Sequence, residues 1–323
     1  MKTLSELTDY YYKTLYPIIK ELEIQRLKIK KKLLFLILFN ILVFIISLLL
    51  YNNDIINESY IFILLFILLI SYTIGYKTIT QGYAQKFKFG VIDPLLHAID
   101  PNLHYNPSSH IPLHTIQEGK LFGTQINHIQ GKDFVTGSID SIAISFSDVT
   151  LDIKQTTVAN KKDPNHRVTL FKGLYIITQS PKKFYGSTIV LPDTAQHIVG
   201  EYIGHIVQSY NTQYGELIKM DNIEFEKKFV VYATDQIEAR YLLTPSIMEK
   251  ILLLQKHAKH PIYLSFVNNN IHIAVAYNKN LFEPSVFHSL LEYKIALQYI
   301  QTLHLCVEIT QELELNTTLG SYL

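Results

Sequence analysis

The thirteen histidines of this 323-residue chain are its first candidates for chemistry, because imidazole serves as a metal ligand and as an acid or base. His110 and His114 lie four residues apart, and His257 and His260 lie three apart. Either spacing places two side chains on one turn of a helix. Pro112 interrupts the first pair, and no acid-plus-histidine pattern of the metalloprotease type is present. The sequence therefore predicts surface or loop histidines, with no metal site and no cofactor.

A second candidate is the stretch FVVYATDQIEARYLLTP, from Phe229 to Pro245, which places a tyrosine, two acids and an arginine close together. Its first residues are rich in β-branched and aromatic types, which favour a strand. Asp235 is followed three residues later by Glu238, and this spacing resembles a capping box. In such a box Asp235 caps the start of a helix, and Glu238 reaches back to the N–H of Asp235. Both acids are therefore predicted to serve folding.

The end of the same stretch predicts the start of a second helix. Thr244 is a suitable N-cap, and Pro245 fits the first helical position, where its missing N–H costs nothing. Arg240 and Tyr232 have no local role of this kind. We therefore keep Arg240 as a candidate, either as a buried ion-pair partner or as an anion site.

The nucleophilic side chains match no catalytic motif. Ser187 follows Gly186 within a strand pattern, which is ordinary for a strand. Cys306 is the only cysteine, and the apolar helical pattern around it predicts a buried, inert thiol. His304 lies two residues from Cys306, so the two side chains point in different directions on a helix. The sequence contains no Gly-rich phosphate loop, nucleophile elbow or kinase signature. These observations predict no catalytic residues and disfavour an enzyme.

Two apolar segments are each long enough to cross a membrane. Leu33–Leu50 and Tyr60–Tyr76 carry no charged residue, and the short stretch YNNDIINES joins them. Backbone polar groups in lipid must be satisfied within a helix, so the pair predicts a transmembrane helical hairpin. A cleaved signal peptide is disfavoured, because a long polar segment precedes the first span and a second span follows.

Positive charge flanks the hairpin on one side only. The connecting loop contains Asp54 and Glu58 and no Lys or Arg. The positive-inside rule therefore places both termini in the cytoplasm and the loop outside, in a cell inner membrane. The charges that support this orientation lie before the first span or after the second: Arg26, Lys28, Lys30, Lys31, Lys32, Lys77, Lys86 and Lys88.

Polar side chains within the spans are few. Asn40 lies near the middle of the first span, where its amide can bond across the hairpin or between protomers. Ser71 and Thr73 can bond back to their own helix. Intramembrane ionisable residues mark transport paths, so two charge-free spans disfavour a channel or transporter unless several copies assemble.

The pattern of the chain predicts four regions. Apolar residues recur at helical spacing before the first span, and helical spacing resumes after the second until a proline-rich stretch at Asp100–Pro112. The regions are an amphipathic cytoplasmic helix (1–32), the hairpin (33–76), a juxtamembrane helix with a linker (77–112) and a cytoplasmic domain (113–323).

The domain after the linker is predicted to be α+β with a mainly antiparallel sheet. Residues of Asp133–Thr156 alternate with period two, and short connections to the next apolar runs favour a meander of four or five strands. Three consecutive asparagines predict a hairpin over Ile262–Tyr277. Helical spacing also appears within Thr194–Met220 and from Ser285 to about Leu313.

The charge balance disfavours nucleic acid as a partner. Lys and Arg number 29 and Asp and Glu number 28, giving a formal net charge of +1. A nucleic-acid binder needs a basic excess or a basic face to neutralise phosphates.

Four segments of the chain resemble a bacterial membrane-associated family known as domain of unknown function 3137. The segments are GKDFVTGSIDSIAISFSDV (Gly131–Val149), FKGLYI (Phe171–Ile176), FYGSTIVLPD (Phe184–Asp193) and ELIKMDNIEFEKKFVVYATDQIEARYLLTPSIMEKIL (Glu216–Leu252). The resemblance extends over about Gly131–Tyr277 and includes the two-span hairpin as a shared layout. It implies no catalytic residues, and it implies a LemA-type membrane protein as a partner, because the genes are often neighbours.

Anchor, domain and resemblance together predict a membrane-anchored cytoplasmic protein with a binding or assembly role. Its expected partners are the lipid bilayer and either another protein or a second copy of itself. The alternative is a membrane-tethered enzyme, such as a hydrolase acting on a membrane-linked substrate. That alternative requires convergent polar groups in one pocket.

Overall fold

A computed structural model of the protein describes residues 4–122, 126–139, 141–154, 167–180, 183–193, 215–277 and 282–291. The chain divides into two compact units. The helical unit comprises Ser5–Ala98 together with Phe282–Tyr293, and the sheet unit comprises mainly Ile99–Leu281.

Two long helical stretches make up most of the helical unit, and α-helices and π-turns alternate within them. Both stretches, Ser5–Asn52 and Glu58–Ile99, are long and apolar enough to cross a membrane, which indicates membrane association. In chain order the elements are α1 (Leu4–Tyr10), a π-turn (Tyr11–Leu15), α2 (Tyr16–Asn52), α3 (Glu58–Phe87), a second π-turn (Lys88–Ile92) and α4 (Asp93–Ile99).

Each π-turn is followed closely by a proline. The chain remains helical through Pro17. Tyr16, just before Pro17, donates its N–H five residues back, to the carbonyl of Tyr11. The N–H of Asp93, just before Pro94, reaches back the same distance. A wider turn accommodates a proline that lacks an N–H and crowds the preceding turn, so both helices continue.

The hairpin helices α2 and α3 pack antiparallel. At the loop end, the hydroxyl of Tyr51 donates to the Glu58 carboxylate over 3.1 Å. Further along, a Cβ on Gly75 would lie 2.7 Å from a methyl of Leu36, so the helices approach closely at that glycine. Thr73 donates to the carbonyl of Ile70 on its own helix, as predicted.

In the described part of the sheet unit, nine strands form one sheet in which every pairing is antiparallel. The predicted α+β fold is therefore confirmed. The spatial order is β1-β2-β3-β4-β9-β8-β5-β7-β6. The strands are β1 (His104–Asn106), β2 (Ile126–Ile139), β3 (Ile142–Lys154), β4 (Arg167–Gln179), β5 (Ser187–Pro192), β6 (Glu216–Ile218), β7 (Phe229–Ala233), β8 (Ile262–Val267) and β9 (Asn270–Ala276).

In the described residues, four short or medium helices accompany the sheet. They are α5 (Leu113–Glu118), α6 (Ile223–Glu226), α7 (Gln236–Leu242) and α8 (Pro245–Ala258). One face of the sheet contributes Tyr175, Ile189 and Tyr232 to a core cluster that also contains Ile116 of α5. Phe146 and Phe266, on the opposite face, are also fully buried. A sheet buried on both faces explains why its central strands are apolar almost throughout.

The strand order corrects the predicted meander. Strands β2, β3 and β4 are consecutive neighbours, but the β8–β9 hairpin lies between β4 and β5. The β4–β5 connection crosses the tip of that hairpin, because the N–H groups of Ser180 and Phe184 donate to the carbonyls of Asn269 and Asn268. The predicted linker Asp100–Pro112 also differs from expectation, since it contributes the edge strand β1.

The predicted C-terminal helix does not begin where its periodicity indicates. Residues 285–291 form turns and bends, so the prediction is wrong over this part, and the remainder lies outside the described residues. Glu23 of α2 accepts hydrogen bonds from the Ser289 hydroxyl and the Leu290 N–H. In a local helix the N–H of Leu290 would donate to a carbonyl of that helix, whereas here it donates to the Glu23 carboxylate. The helix predicted within Thr194–Met220 falls mostly outside the described residues, and its described end contains β6.

Replacing Gly173 with alanine is expected to destabilise the sheet unit by about 2 kcal/mol or more. Gly173 has φ +156°, and a Cβ there would collide with the carbonyl oxygen of Val275 on β9. Hydrogen exchange of β4 and β9 amides in the full-length protein in detergent measures the effect. Gly82→Ala is the control, because nothing lies near a Cβ at that helical position. Equal exchange in both variants would contradict this account of Gly173.

Candidate functional site

The N-terminus of α7 lies at one corner of the sheet unit. Asp235 precedes the helix with extended backbone angles, and its carboxylate accepts the N–H groups of Ile237 and Glu238 at 2.8 and 3.1 Å. Asp235 is thus the predicted N-cap. Thr244 likewise caps α8 by accepting from the N–H of Ile247, and Pro245 occupies the start of that helix.

The Glu238 carboxylate has a different partner from the predicted one. Instead of reaching back to the N–H of Asp235, it accepts the N–H of Tyr185 at 2.9 Å and the N–H of Gly186 at 2.7 Å. A Cβ on Gly186 would lie 2.6 Å from the Thr234 hydroxyl oxygen and 3.0 Å from the Glu238 carboxylate. The absence of a side chain at Gly186 therefore permits this close approach. Charge-assisted bonds to two successive backbone amides fix the segment before β5 against α7.

Two large apolar side chains are exposed beside this clamp. Tyr185 is 89 % exposed and Ile237 is 81 % exposed, and each is a sequence neighbour of a residue in the clamp. Three acidic residues lie nearby in the structure: Asp235 caps α7, Glu238 accepts the amides of Tyr185 and Gly186, and Glu216 at the start of β6 accepts a hydrogen bond from the Gln236 side chain. We define the Glu238 corner as Tyr185–Gly186 together with Thr234–Glu238.

Arg240 and Tyr232 form no catalytic group with the acidic side chains of the Glu238 corner. The Arg240 guanidinium is half-exposed and lies 3.9 Å from the fully exposed carboxylate of Asp221, so its prediction as a buried ion-pair partner is wrong. An exposed pair at this distance contributes little to stability. Tyr232 is buried in the core cluster.

The histidine pairs do not form a metal centre in the described residues. No group of three or more His, Cys, Asp or Glu side chains able to hold a metal occurs there. The His110 ring bonds to the carbonyl of Ile111, and the His260 ring contacts Tyr277 edge-on. His260 also lines an open groove of about 610 Å³ along α8 together with lysines and glutamates. His304 and Cys306 lie outside the described residues.

A buried polar cluster in the sheet unit escaped the sequence analysis. His272 on β9 is the cross-strand neighbour of Ser265 on β8, and its ring shares a 3.1 Å hydrogen bond with the Tyr175 hydroxyl. The Ser265 hydroxyl donates to the carbonyl of Gly119 and not to the imidazole. Burial lowers the pKa of His272 to about 4 and raises the pKa of Tyr175.

All three side chains of the cluster are essentially inaccessible to solvent. Their partners, Ile116 and Gly119, lie in the segment that covers this face of the sheet. The cluster therefore holds that segment onto β4, β8 and β9 and offers no substrate access. The sequence did carry a signal for the Ser265–His272 part of this cluster. A two-residue turn at Asn268–Asn269 places Ser265 directly opposite His272 on the neighbouring strand.

The helical unit contains an ion pair between the buried Arg26 and the mostly buried Glu23. The guanidinium forms a bidentate pair with the carboxylate at 2.7 and 2.8 Å and also donates to the carbonyl of Val286 at 2.6 Å. Hydrogen bonds from Arg26 lower the pKa of Glu23, although burial opposes the shift. Arg26 was predicted as a juxtamembrane charge that sets orientation. It is instead paired with Glu23 and Val286 within the unit.

Residues 169–315 match the family described as "Protein of unknown function (DUF3137)". The match confirms the resemblance. It begins in β4, later than the predicted start at Gly131, and it extends beyond the predicted end at Tyr277.

The DUF3137 match includes the whole Glu238 corner and the buried His272 cluster. Strands β1 to β3 and the helical hairpin precede the matched residues. No curated protein matches the chain. A crystal structure of the mycobacterial trehalose monomycolate transport factor A, TtfA, is similar with 11 % identity and a TM-score of 0.32, covering 69 % of this chain and 94 % of that one. A likeness at this TM-score does not establish a common fold.

Proposed function

We propose that this DUF3137 protein is a membrane-anchored binding or assembly protein whose sheet unit docks a protein partner at the Glu238 corner. The observation that carries the proposal is the pair of exposed apolar side chains, Tyr185 and Ile237, on a backbone fixed by the Glu238 clamp. Exposed apolar side chains grouped on a rigid surface are typical of protein interfaces.

The clamp makes the Glu238 corner a preorganised surface. The Glu238 carboxylate binds two amides that are 53 and 52 residues away in sequence, so it fixes Tyr185 relative to α7. A side chain presented on a fixed backbone loses less conformational freedom on binding than one on a free loop. Tyrosine is also among the residues that most often dominate binding energy at interfaces.

The charges around the Glu238 corner indicate what kind of partner fits. Asp235, Glu238 and Glu216 lie close together, and their hydrogen bonds to N–H donors leave their negative charge in place. A complementary partner surface carries apolar residues for Tyr185 and Ile237 with Lys or Arg around them. The family resemblance makes a LemA-type membrane protein one candidate.

The proposal includes an anchor that holds this docking surface at a membrane. We propose two spans, 33–50 and 60–76, in a cell inner membrane with both termini cytoplasmic. The lysines before the first span and the acidic loop support this orientation. A cysteine at Asp54, in a Cys306→Ser background, is expected to react with a membrane-impermeant thiol reagent added to intact cells. Labelling only after the membrane is opened would contradict the orientation.

Site-specific photocrosslinking in living cells tests the docking surface. A photoreactive phenylalanine analogue replaces Tyr185 or Ile237 in the full-length, tagged protein. We expect one discrete crosslinked partner from both positions. The matched control is Ile223, which is 73 % exposed. It lies on α6, which precedes β7, whereas Thr234–Glu238 follows β7.

The outcomes separate docking from general exposure. A partner captured at positions 185 and 237 but not at 223 supports the proposal, and a LemA-like protein would also identify the pathway. Capture that is equal at all three positions, or absent at positions 185 and 237, overturns it. A Tyr185→Ser/Ile237→Ser variant is expected to lose the partner while its unfolding temperature stays unchanged, because both side chains are exposed.

The membrane-tethered hydrolase is the alternative function. Among the described residues, Ser265 and His272 resemble a nucleophile with a neighbouring base, yet both are buried and the serine donates elsewhere. No specific observation in the described part of the chain therefore favours catalysis over binding.

A further inference from the structure

A groove lies between the two hairpin helices, towards the end away from their connecting loop. It has a volume of about 490 Å³. Two lysines and four apolar residues line it, and no acidic residue of the described chain does so. The lining residues are Lys31, Lys32, Phe35, Leu36 and Phe39 of α2 with Ile79 of α3. The groove therefore combines positive charge with an apolar wall.

Packed helices form the walls of this groove. Leu36 lies against Gly75, where a Cβ would come within 2.7 Å of a leucine methyl. On the other side of the groove, the Lys86 ammonium donates to the side-chain oxygen of Gln25 over 3.4 Å. Both contacts fit a single antiparallel register of α2 and α3. The groove is thus built by two helices held in a defined register and involves no loop.

The two lysines share a helix face with the apolar part of the lining. Lys31 lies four residues before Phe35, and Lys32 lies four residues before Leu36. Phe39 lies eight residues after Lys31, which is about 12 Å along the helix axis. Both lysines are exposed, and neither has an ion-pair partner in the described part of the chain. Free positive charge therefore marks one end of an apolar groove.

The position of the groove along the proposed spans indicates the chemistry of its occupant. Lys31 and Lys32 immediately precede the proposed span 33–50, so they lie at the level of the lipid headgroups. Phe35 and Phe39 lie within the hydrocarbon. A phospholipid has the same order of groups, with a phosphate at the boundary and an acyl chain below it. Basic pockets between membrane helices bind anionic headgroups in this way.

We propose that this groove binds one anionic phospholipid. Lys31 and Lys32 contact its phosphate, and an acyl chain lies along Phe35, Leu36 and Phe39. Each lysine buries its aliphatic stem on the groove wall and turns its ammonium to the headgroup. The groove therefore selects a lipid by headgroup charge. The inference rests on the proposed membrane insertion of the hairpin.

Native mass spectrometry of the full-length protein in detergent tests the selection. Dioleoyl phosphatidylglycerol and dioleoyl phosphatidylcholine have identical chains, but only the first has a net negative charge. We expect the first to bind about tenfold more tightly. Lys31→Gln/Lys32→Gln is expected to abolish the preference. The matched control is Lys30→Gln/Lys77→Gln, which removes two lysines beside the spans that do not line the groove.

A second pair of variants tests the apolar part of the groove. Phe35→Ser is expected to weaken the binding of both lipids about tenfold, because it removes apolar surface from the acyl chain. Phe62→Ser is the control, since Phe62 is similarly exposed on α3 but does not line the groove. Excess inorganic phosphate is expected not to displace the lipid. Displacement would identify a free anion as the ligand and overturn the proposal.

The remaining outcomes also decide the proposal. An equal affinity for the two lipids in the unsubstituted protein overturns it. Equal loss of the preference in both double variants also overturns it, because a general basic surface would then suffice. The membrane fraction of cells separates this inference from the proposed function. Protein absent from that fraction refutes the anchor, whereas membrane-bound protein without lipid preference refutes only this inference and leaves docking at the Glu238 corner standing.

Discussion

Acidification from pH 7 to pH 4 is expected to reduce the free energy of unfolding of the sheet unit by about 3 kcal/mol through His272 alone. Burial lowers the pKa of His272 in the folded protein to about 4, while an unfolded histidine titrates near its ordinary value of 6.5. Between these values the unfolded chain binds the extra proton, so falling pH favours unfolding. The stabilisation is complete above pH 6.5 and is lost progressively down to the folded pKa.

The hydrogen-bond partner of His272 carries no negative charge that would stabilise the imidazolium. Tyr175 is its hydrogen-bond partner, and burial raises the pKa of that phenol, so Tyr175 stays neutral. Denaturant unfolding of the full-length protein in detergent, monitored by sheet amides from pH 7 to pH 4, measures the loss.

Two variants assign this loss to one imidazole. His272→Gln keeps a polar partner for Tyr175 and is expected to flatten the pH dependence by most of the 3 kcal/mol. His257→Gln removes an exposed imidazole and is expected to keep the dependence. A nuclear magnetic resonance titration that finds His272 protonating near pH 6.5 in the folded protein would refute the prediction, even if His272→Gln fails to fold.

The features that sequence predicted are those decided by local chemistry. The N-caps at Asp235 and Thr244 depend on side chains that bond within three residues. The β8–β9 hairpin depends on asparagines that tolerate its turn, and Asn268 indeed has φ +57°. Alternation with period two likewise predicted strand within Asp133–Thr156, where β3 spans Ile142–Lys154.

The features that sequence missed depend on partners far along the chain. Nothing near β4 indicates that a hairpin formed about ninety residues later will separate it from β5. The Glu238 carboxylate was assigned to its nearest N–H, because the amides of Tyr185 and Gly186 could not be placed beside it. The C-terminal periodicity was likewise interpreted without the contact between Glu23 and Leu290.

The Glu23–Arg26 pair shows how such a distant contact changes the role that the sequence assigns to a charged residue. As an exposed charge, Arg26 would support the orientation of the anchor, but its side chain is only 6 % exposed and that of Glu23 only 12 %. The Arg26 guanidinium also donates to the carbonyl of Val286, a residue that follows the last strand of the sheet. Arg26 therefore ties this downstream segment to α2, which belongs to the first of the two long apolar helical stretches.

Replacing Arg26 with methionine is expected to weaken the attachment of residues 286–290 by about 3 kcal/mol, because it leaves the mostly buried Glu23 carboxylate without its cationic partner. Methionine retains much of the length of the arginine stem but no donor. Hydrogen exchange at the N–H of Leu290, which donates to Glu23 over 3.0 Å, reports the opening of this contact. Exchange about 100-fold faster than in the unsubstituted protein is expected.

Two comparisons identify the cause of the faster exchange. Lys13→Met removes an exposed partner of Asp9 in another helical ion pair, and exchange at Leu290 is expected to stay unchanged, since such pairs contribute little. Glu23→Gln combined with Arg26→Met removes the unpaired charge while retaining an acceptor for Leu290, so it is expected to recover a large part of the loss. If the double variant exchanges as fast as Arg26→Met alone, the loss comes from the missing bond to Val286 and not from the buried charge.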